Sequence, residues 1–154
     1  MTECAKILVV DLDGTLCDSA HREHLARAKQ WDEFHSKLLD DSFHADVAHF
    51  IKMAANHCSE VLLLTGRNEK YRALTYRWLE RSTLPHCVDD LLMRPDNDYR
   101  PDTELKPQLL DGWIDTHPHY THSDIWLILE DREKVVDNWR DLGYNCWQVR
   151  PGGY

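Results

Sequence analysis

Apolar residues along this chain gather in short unbroken runs, separated by stretches in which they recur every three or four positions. The run AKILVV, ending at Val10, is β-branched and aliphatic without alternation, the pattern of a central parallel strand buried on both faces. It returns in EVLLL before Thr65, DLLM before Arg94, IWLIL before Glu130 and NCWQV after Gly143, so five strands are predicted. Helical spacing covers about 22–39, 45–57, 69–81, 107–116 and 132–142. In the last stretch Val135, Val136, Trp139 and Leu142 share one face, and Gly143 follows as a C-terminal stop. Alternating strands and helices predict an α/β fold, a doubly wound, Rossmann-like sheet of five mainly parallel strands with helices on both faces. RPDNDYRPDT, from Arg94 to Thr103, and HPHYTH at 117–122 read as loops, the first long enough to be functional, and PGGY reads as a loose tail.

A length of 154 residues suits one core, so residues 1–154 are expected to form a single domain. No segment approaches the roughly eighteen uninterrupted apolar residues of a membrane span, so no membrane partner is expected. MTECAKILVVDLD lacks the basic start and long apolar stretch of a secretory signal. Cys4, Cys17, Cys58, Cys87 and Cys146 form no CxxC, which suits reduced thiols in a cytoplasmic protein. A net charge of −9 has the wrong sign for coating a long nucleic acid, so any contact with a polyanion should be local. The six glycines supply no GxxxxGK[ST], and a P-loop kinase is not expected.

In an open parallel sheet, ligands bind beyond the carboxyl ends of the strands. Four predicted strands deliver polar residues there: Asp11 and Asp13; Thr65 with Arg67; Arg94; and Glu130 with Asp131 and Arg132. A lone acidic pair at a strand end is ordinarily a turn former or a helix cap. DLDGT carries more, because it sets two carboxylates on one side of an extended segment and follows them with a glycine for a sharp turn. A hydroxyl and backbone N–H groups able to hold an anion come next.

With this motif the chain resembles the haloacid dehalogenase (HAD) superfamily of phosphohydrolases, whose first motif is DxDGT. Thr65 in LLLT, Lys106 in ELKPQ and the Glu130–Asp131 pair match the remaining motifs in order. The chain is more closely similar to the 3'-phosphatase part of phage-type polynucleotide kinase/phosphatase, through LLLTGR, MRPDNDYRPDTELK and LEDREKVVDNWRDLGYNCWQV.

The resemblance implies a Mg²⁺-dependent phosphomonoesterase with Asp11 as the nucleophile that forms an aspartyl-phosphate. It implies Asp13 as general acid and then base, and Thr65 and Lys106 on the phosphoryl oxygens. Mg²⁺ would be held by Asp11, the Asp13 backbone carbonyl and Asp131, with Glu130 as a further candidate. Arg22, Arg67, Arg94 and Arg132 would grip substrate phosphates, supported by Arg100 and Asp102. Pro107 is best tolerated at a first helical position, which would put Lys106 at the helix entry. The interval after the first motif leaves room for a minimal cap at most, so the site should admit a polymer end. The implied substrate is the 3'-phosphate of a nucleic-acid end or a nucleotide, with a kinase or ligase as functional partner.

Two other readings stand beside this one. A small-molecule phosphatase such as a 5'-nucleotidase is in keeping with the acidic net charge. A non-catalytic binding module is disfavoured, because a site freed from chemistry has no reason to keep mutually repelling carboxylates such as Asp11 and Asp13. His117, His119 and His122 share one proline-bearing loop and read as surface histidines rather than a zinc site. Trp31, Phe34, Trp78, Trp113, Trp126, Trp139 and Trp147 read as core packing, and nothing in the sequence assigns Trp31 to base stacking.

Overall fold

The protein is described by a computed structural model over residues 4–152. Strand β1 (Ile7–Val10) is followed by a small insert: β2 (Cys17–Asp18), helices α1 (Glu23–Arg27) and α2 (Trp31–Ser36), and β3 (Ser42–Phe43). Then come α3 (Ala45–Ala54), β4 (Glu60–Asn68), α4 (Arg72–Leu79), β5 (Asp90–Arg94), α5 (Asp102–Asp115), β6 (Ile125–Arg132), α6 (Glu133–Asp141) and β7 (Cys146–Gly152). The main sheet runs β5-β4-β1-β6-β7 with every pairing parallel, while β2 and β3 form a separate antiparallel ribbon. No described helix is long and apolar enough to cross a membrane.

The unalternating strand sequences follow from burial on both faces. Leu8 and Val10 of β1 pack with Leu63, Ile51 and Trp78 under α3 and α4. Ile7 and Val9 pack on the other face with Leu62, Leu110, Val136 and Trp139 under α5 and α6. Two apolar layers therefore grip the central strands, and the polar residues that end those strands have only the carboxyl edge of the sheet to occupy.

The predicted fold class and all five strands are present, and the differences have local causes. The helix expected over 22–39 is broken into α1 and α2 with 3₁₀ turns at Ala20–Arg22 and Leu38–Asp40. Lys29 at the break has a left-handed backbone, φ 58°, which no continuous helix accepts. The helix expected at 107–116 begins earlier, at Asp102, so Pro107 lies inside it rather than at its first position. Its ring nitrogen cannot bond the carbonyl of Thr103 one turn back, and that carbonyl instead accepts the Asn138 side-chain amide at 2.8 Å.

Trp78, Trp139, Trp113 and Phe34 are buried as expected, whereas Trp31, Trp126 and Trp147 are exposed. All five cysteines are free, but only Cys17 and Cys146 are buried. His117 stacks on Trp113 and His122 pairs with Asp111. Pro151 and Gly152 of the expected tail complete β7, and its last two residues lie outside the described residues.

Trp78 couples one layer to the site. It is fully buried, stacks on Phe43 with ring centroids 4.1 Å apart, and donates its indole N–H to the Asp41 carbonyl at 2.9 Å. Truncation to Ala should cost about 3–5 kcal/mol, as for other buried aromatics. Urea unfolding of Trp78→Ala measures this; a loss below about 1 kcal/mol would mean that the layer collapses around the gap.

Candidate active site

Strand β1 lies between β4 and β6; the chain leaves β1 toward β4 and leaves β6 toward β7 at the opposite edge, which opens a crevice at their carboxyl ends. Asp11 begins the loop beyond β1 and donates its N–H to the Leu129 carbonyl of β6 at 3.0 Å. The Leu12 carbonyl then collects the N–H groups of Thr15, Leu16 and Cys17, folding DLDGT back on itself. Gly14 has φ 84°, and a Cβ there would run into the Asp131 carboxylate. Glycine is required at this position by both conformation and space. The anion-holding N–H groups expected of this turn are differently employed: those of Gly14 and Thr15 bond within the loop. The Thr15 hydroxyl donates to a carboxylate, at 3.0 Å to Asp11 and 3.3 Å to Asp131.

Two buried charge clusters meet here. In the first, acceptor oxygens of Asp11, Glu130 and Asp131 all lie within 4.8 Å of one another. Lys106, buried on the second turn of α5 and not at its entry, reaches Asp11 at 2.8 Å and Glu130 at 2.6 Å. Burial and the Glu130 charge push the Asp11 pKa up to about 7 against the pull of Lys106. Burial and the Asp11 charge push Asp131 up to about 10. Burial would raise the Glu130 pKa, but Lys106, the Asp131 hydrogen bond and the Arg132 charge together hold it below the usual value. Its other oxygen accepts the N–H groups of Asp131 and Arg132, so Glu130 is engaged mainly in fixing Lys106 and this turn.

One ammonium against three carboxylates leaves a buried deficit of positive charge. The oxygen-only donor set suits a hard divalent cation, so these residues fit the Mg²⁺ that the sequence resemblance implies.

The second cluster is balanced. Asp13 receives Arg22 at 2.5 Å and Arg67 at 2.7 Å, and Asp41 receives Arg22 on both oxygens, at 2.7 and 2.5 Å. Arg22 and Arg67 are fully buried and face Asp13, where the sequence led us to expect contact with substrate phosphates. Burial alone would raise the Asp13 pKa, but Arg67 and Arg22 overcome it and hold the carboxyl well below the usual range. Thr65 is also buried, and its hydroxyl oxygen accepts the Arg67 N–H at 3.1 Å.

Arg94 and Arg132 converge on Asp102, Arg94 at 2.6 Å. Arg94 also donates to the carbonyls of Gly66, Asp98 and Arg100, which braces the loop over residues 95–101. These two arginines, with Asp11 and Asp13, line a cleft of about 860 Å³ bounded by the insert on one side and that loop on the other.

Sequence reasoning missed Asp41 and His35. Asp41 stands in an unremarkable acidic doublet, and its partner Arg22 lies across an irregular insert whose path no periodicity predicts. His35 is buried against the cleft, and burial lowers its pKa to about 4, so its imidazole is neutral.

A doubly wound sheet with this carboxylate and lysine arrangement at its switch point defines a HAD-type phosphatase. Residues 5–154 match the family model described as "Polynucleotide kinase PNKP phosphatase domain", and the chain belongs to that family. A chain of the Pnkp1/Rnl/Hen1 RNA repair complex is 32% identical, with a TM-score of 0.77 over 100% of this chain and 45% of that one. A second structure of the complex gives 32% identity and a TM-score of 0.75, covering 100% and 49%. The present chain thus spans just under half the length of those chains. A HAD-superfamily hydrolase from Geobacter sulfurreducens shares the fold at 13% identity and a TM-score of 0.64, covering 94% of this chain and 87% of that one.

Balance in the arginine cluster can be tested apart from catalysis. Asp41→Asn keeps the shape of the side chain but leaves two guanidinium groups against one carboxylate, and should destabilise the fold by about 3–5 kcal/mol. Equilibrium denaturation measures the loss, and an unchanged midpoint would mean that Asp41 contributes no net charge compensation.

Proposed function

We propose that this chain is a Mg²⁺-dependent phosphomonoesterase that removes the 3'-phosphate from nucleic-acid ends or nucleotides through an aspartyl-phosphate on Asp11, and that residues 1–154 form a single phosphatase domain. The observation that carries the proposal is the buried deficit of positive charge around Asp11, Glu130 and Asp131, directly below an open cleft. Asp11 and Asp131 would hold Mg²⁺, helped by the Asp13 carbonyl, with Glu130 committed chiefly to Lys106. When bound, Mg²⁺ neutralises phosphoryl oxygens that otherwise repel a carboxylate nucleophile.

Lys106 keeps its proton, because burial is outweighed by Asp11 and Glu130, and it holds one Asp11 oxygen, while the other, met by the Thr15 hydroxyl, would attack the phosphorus. The aspartyl–phosphate bond forms as the bond to the departing hydroxyl oxygen breaks, and water then cleaves the intermediate. Asp13 serves the leaving oxygen and afterwards the water. The arginine clamp keeps Asp13 ionised at rest, which fits its role as base. To donate in the first half, Asp13 must first take a proton from solvent, which requires that pairing to loosen as substrate charge enters. Thr65 would meet a phosphoryl oxygen only if the turn carrying Arg67 adjusts, whereas Arg94, Arg100 and Arg132 line the cleft that would take the substrate.

Family membership and the open cleft support a nucleic-acid end as substrate, and the likeness to an RNA repair complex supports a ligase or kinase as working partner. Five free cysteines suit a reducing cytoplasm. With Mg²⁺, the protein should release phosphate from 3'-phosphorylated oligonucleotides faster than from free 5'-nucleotides, and Asp11→Asn should abolish release. A strong preference for 5'-nucleotides would replace this reading with that of a nucleotidase, and retained activity in Asp11→Asn would remove the aspartyl intermediate.

The raised carboxylates set a pH dependence. Native Asp11 keeps a proton between the ordinary 3.8 and about 7 that the unfolded chain has lost, and Asp131 extends the effect toward about 10. Metal-free protein should therefore lose stability as pH rises through that window. Mg²⁺ competes with those protons, so the rise in Tm that it brings should be larger at pH 8 than at pH 5. Thermal melts in Mg²⁺ and in chelator measure both, and a metal effect that shrinks with rising pH would contradict the assignment.

A further inference from the structure

Two aromatic rings stand at the cleft where core packing does not explain them. Trp31 is 48% exposed and Tyr99 89% exposed, and both line the cavity whose floor holds Asp11 and Asp13. They come from opposite walls, Trp31 from the start of α2 and Tyr99 from the loop over residues 95–101.

Neither ring sits on a loose support. Trp31 lies parallel to His35, with centroids 6.4 Å apart and planes 26° apart, and edge-on to Phe34 at 5.9 Å. His35 in turn meets Tyr71 at 4.9 Å. The wall is tied to the sheet side by Asp32, which accepts Tyr71 at 2.7 Å and Lys70 at 2.6 Å. On the other side, the Arg94 bonds to the Asp98 and Arg100 carbonyls fix the backbone that carries Tyr99.

The charges on this rim are largely spent on one another. Lys70 pairs with Asp32, and Arg100 pairs with Asp98 at 2.6 Å. Lys29 and Asp96 add one charge of each sign to the same lining. Such a rim offers little to a long phosphate backbone but presents two supported π-faces. Aromatic faces of this kind bind bases of any sequence by stacking.

We propose that Trp31 and Tyr99 form a nucleobase subsite that stacks the base of the nucleoside bearing the departing phosphate; this rests on the nucleic-acid-end reading above. The grip is on the terminal base, not on the strand, which reconciles a polymer substrate with a net charge of −9.

The test compares kcat/KM for a 3'-phosphorylated dinucleotide with that for the same molecule lacking the terminal base, in wild type, Trp31→Ala and Tyr99→Ala. Wild type should favour the base-bearing substrate by about tenfold or more, and each replacement should lower that ratio at least about threefold. The ratio is internal to each protein and so is insensitive to partial unfolding, and the exposure of Tyr99 makes its variant safe for the fold. A wild-type ratio near one, or a ratio that both variants retain, would overturn the subsite. Hydrolysis of neither substrate by wild type would instead overturn the underlying reading and the subsite with it.

Discussion

The structure depends on burying three carboxylates around a single ammonium. Within 4.8 Å, two ionised carboxylates repel by roughly 3–4 kcal/mol at an effective dielectric of 20. Lys106 bonds to two of the three groups, and protons held by Asp11 and Asp131 relieve the rest. A packed fold tolerates that arrangement only when something in its working cycle rewards it. On the function proposed above, a divalent cation and a phosphoryl group would do so together, since the cation would supply the missing charge beside the carboxylate.

The arginine cluster beside it follows the opposite rule. Arg22 and Arg67 against Asp13 and Asp41 form a closed set, held between the insert and β4. Such a cluster needs no ligand to be stable, and it fixes Asp13 in one orientation. One half of the site is thus balanced in charge, and the other keeps more carboxylates than cations. Gly14 lets the halves approach, because any side chain there would occupy the space of the Asp131 carboxylate.

The sequence displayed the parts governed by short-range regularity. Short apolar runs marked the five strands of the main sheet but not the β2-β3 ribbon, since burial on two faces leaves a one-dimensional trace. Asp11, Lys106, Glu130 and Asp131 could be named because each sits at or near a strand end or within the matched motifs. What stayed hidden depends on contacts between distant, irregular segments. Nothing local says that Arg22 turns inward to Asp41, or that Asn138 caps the carbonyl freed by Pro107 and lets α5 start at Asp102. Burial was overestimated for Trp31, Trp126 and Trp147, because the spacing of an aromatic residue does not reveal which face of an element lacks a covering layer.

The cleft joins these features: a reactive floor of carboxylates, arginine-braced walls and an aromatic rim. On the proposed function, the floor would exchange protons for a divalent cation. The most direct measurement is calorimetric titration of the metal-free protein with Mg²⁺ at pH 7, in two buffers of different ionisation enthalpy, which counts protons released per ion bound. Net proton release on binding, abolished together with binding in Asp131→Asn, is the predicted result. Binding that releases no protons, or that survives that replacement unchanged, would contradict the account.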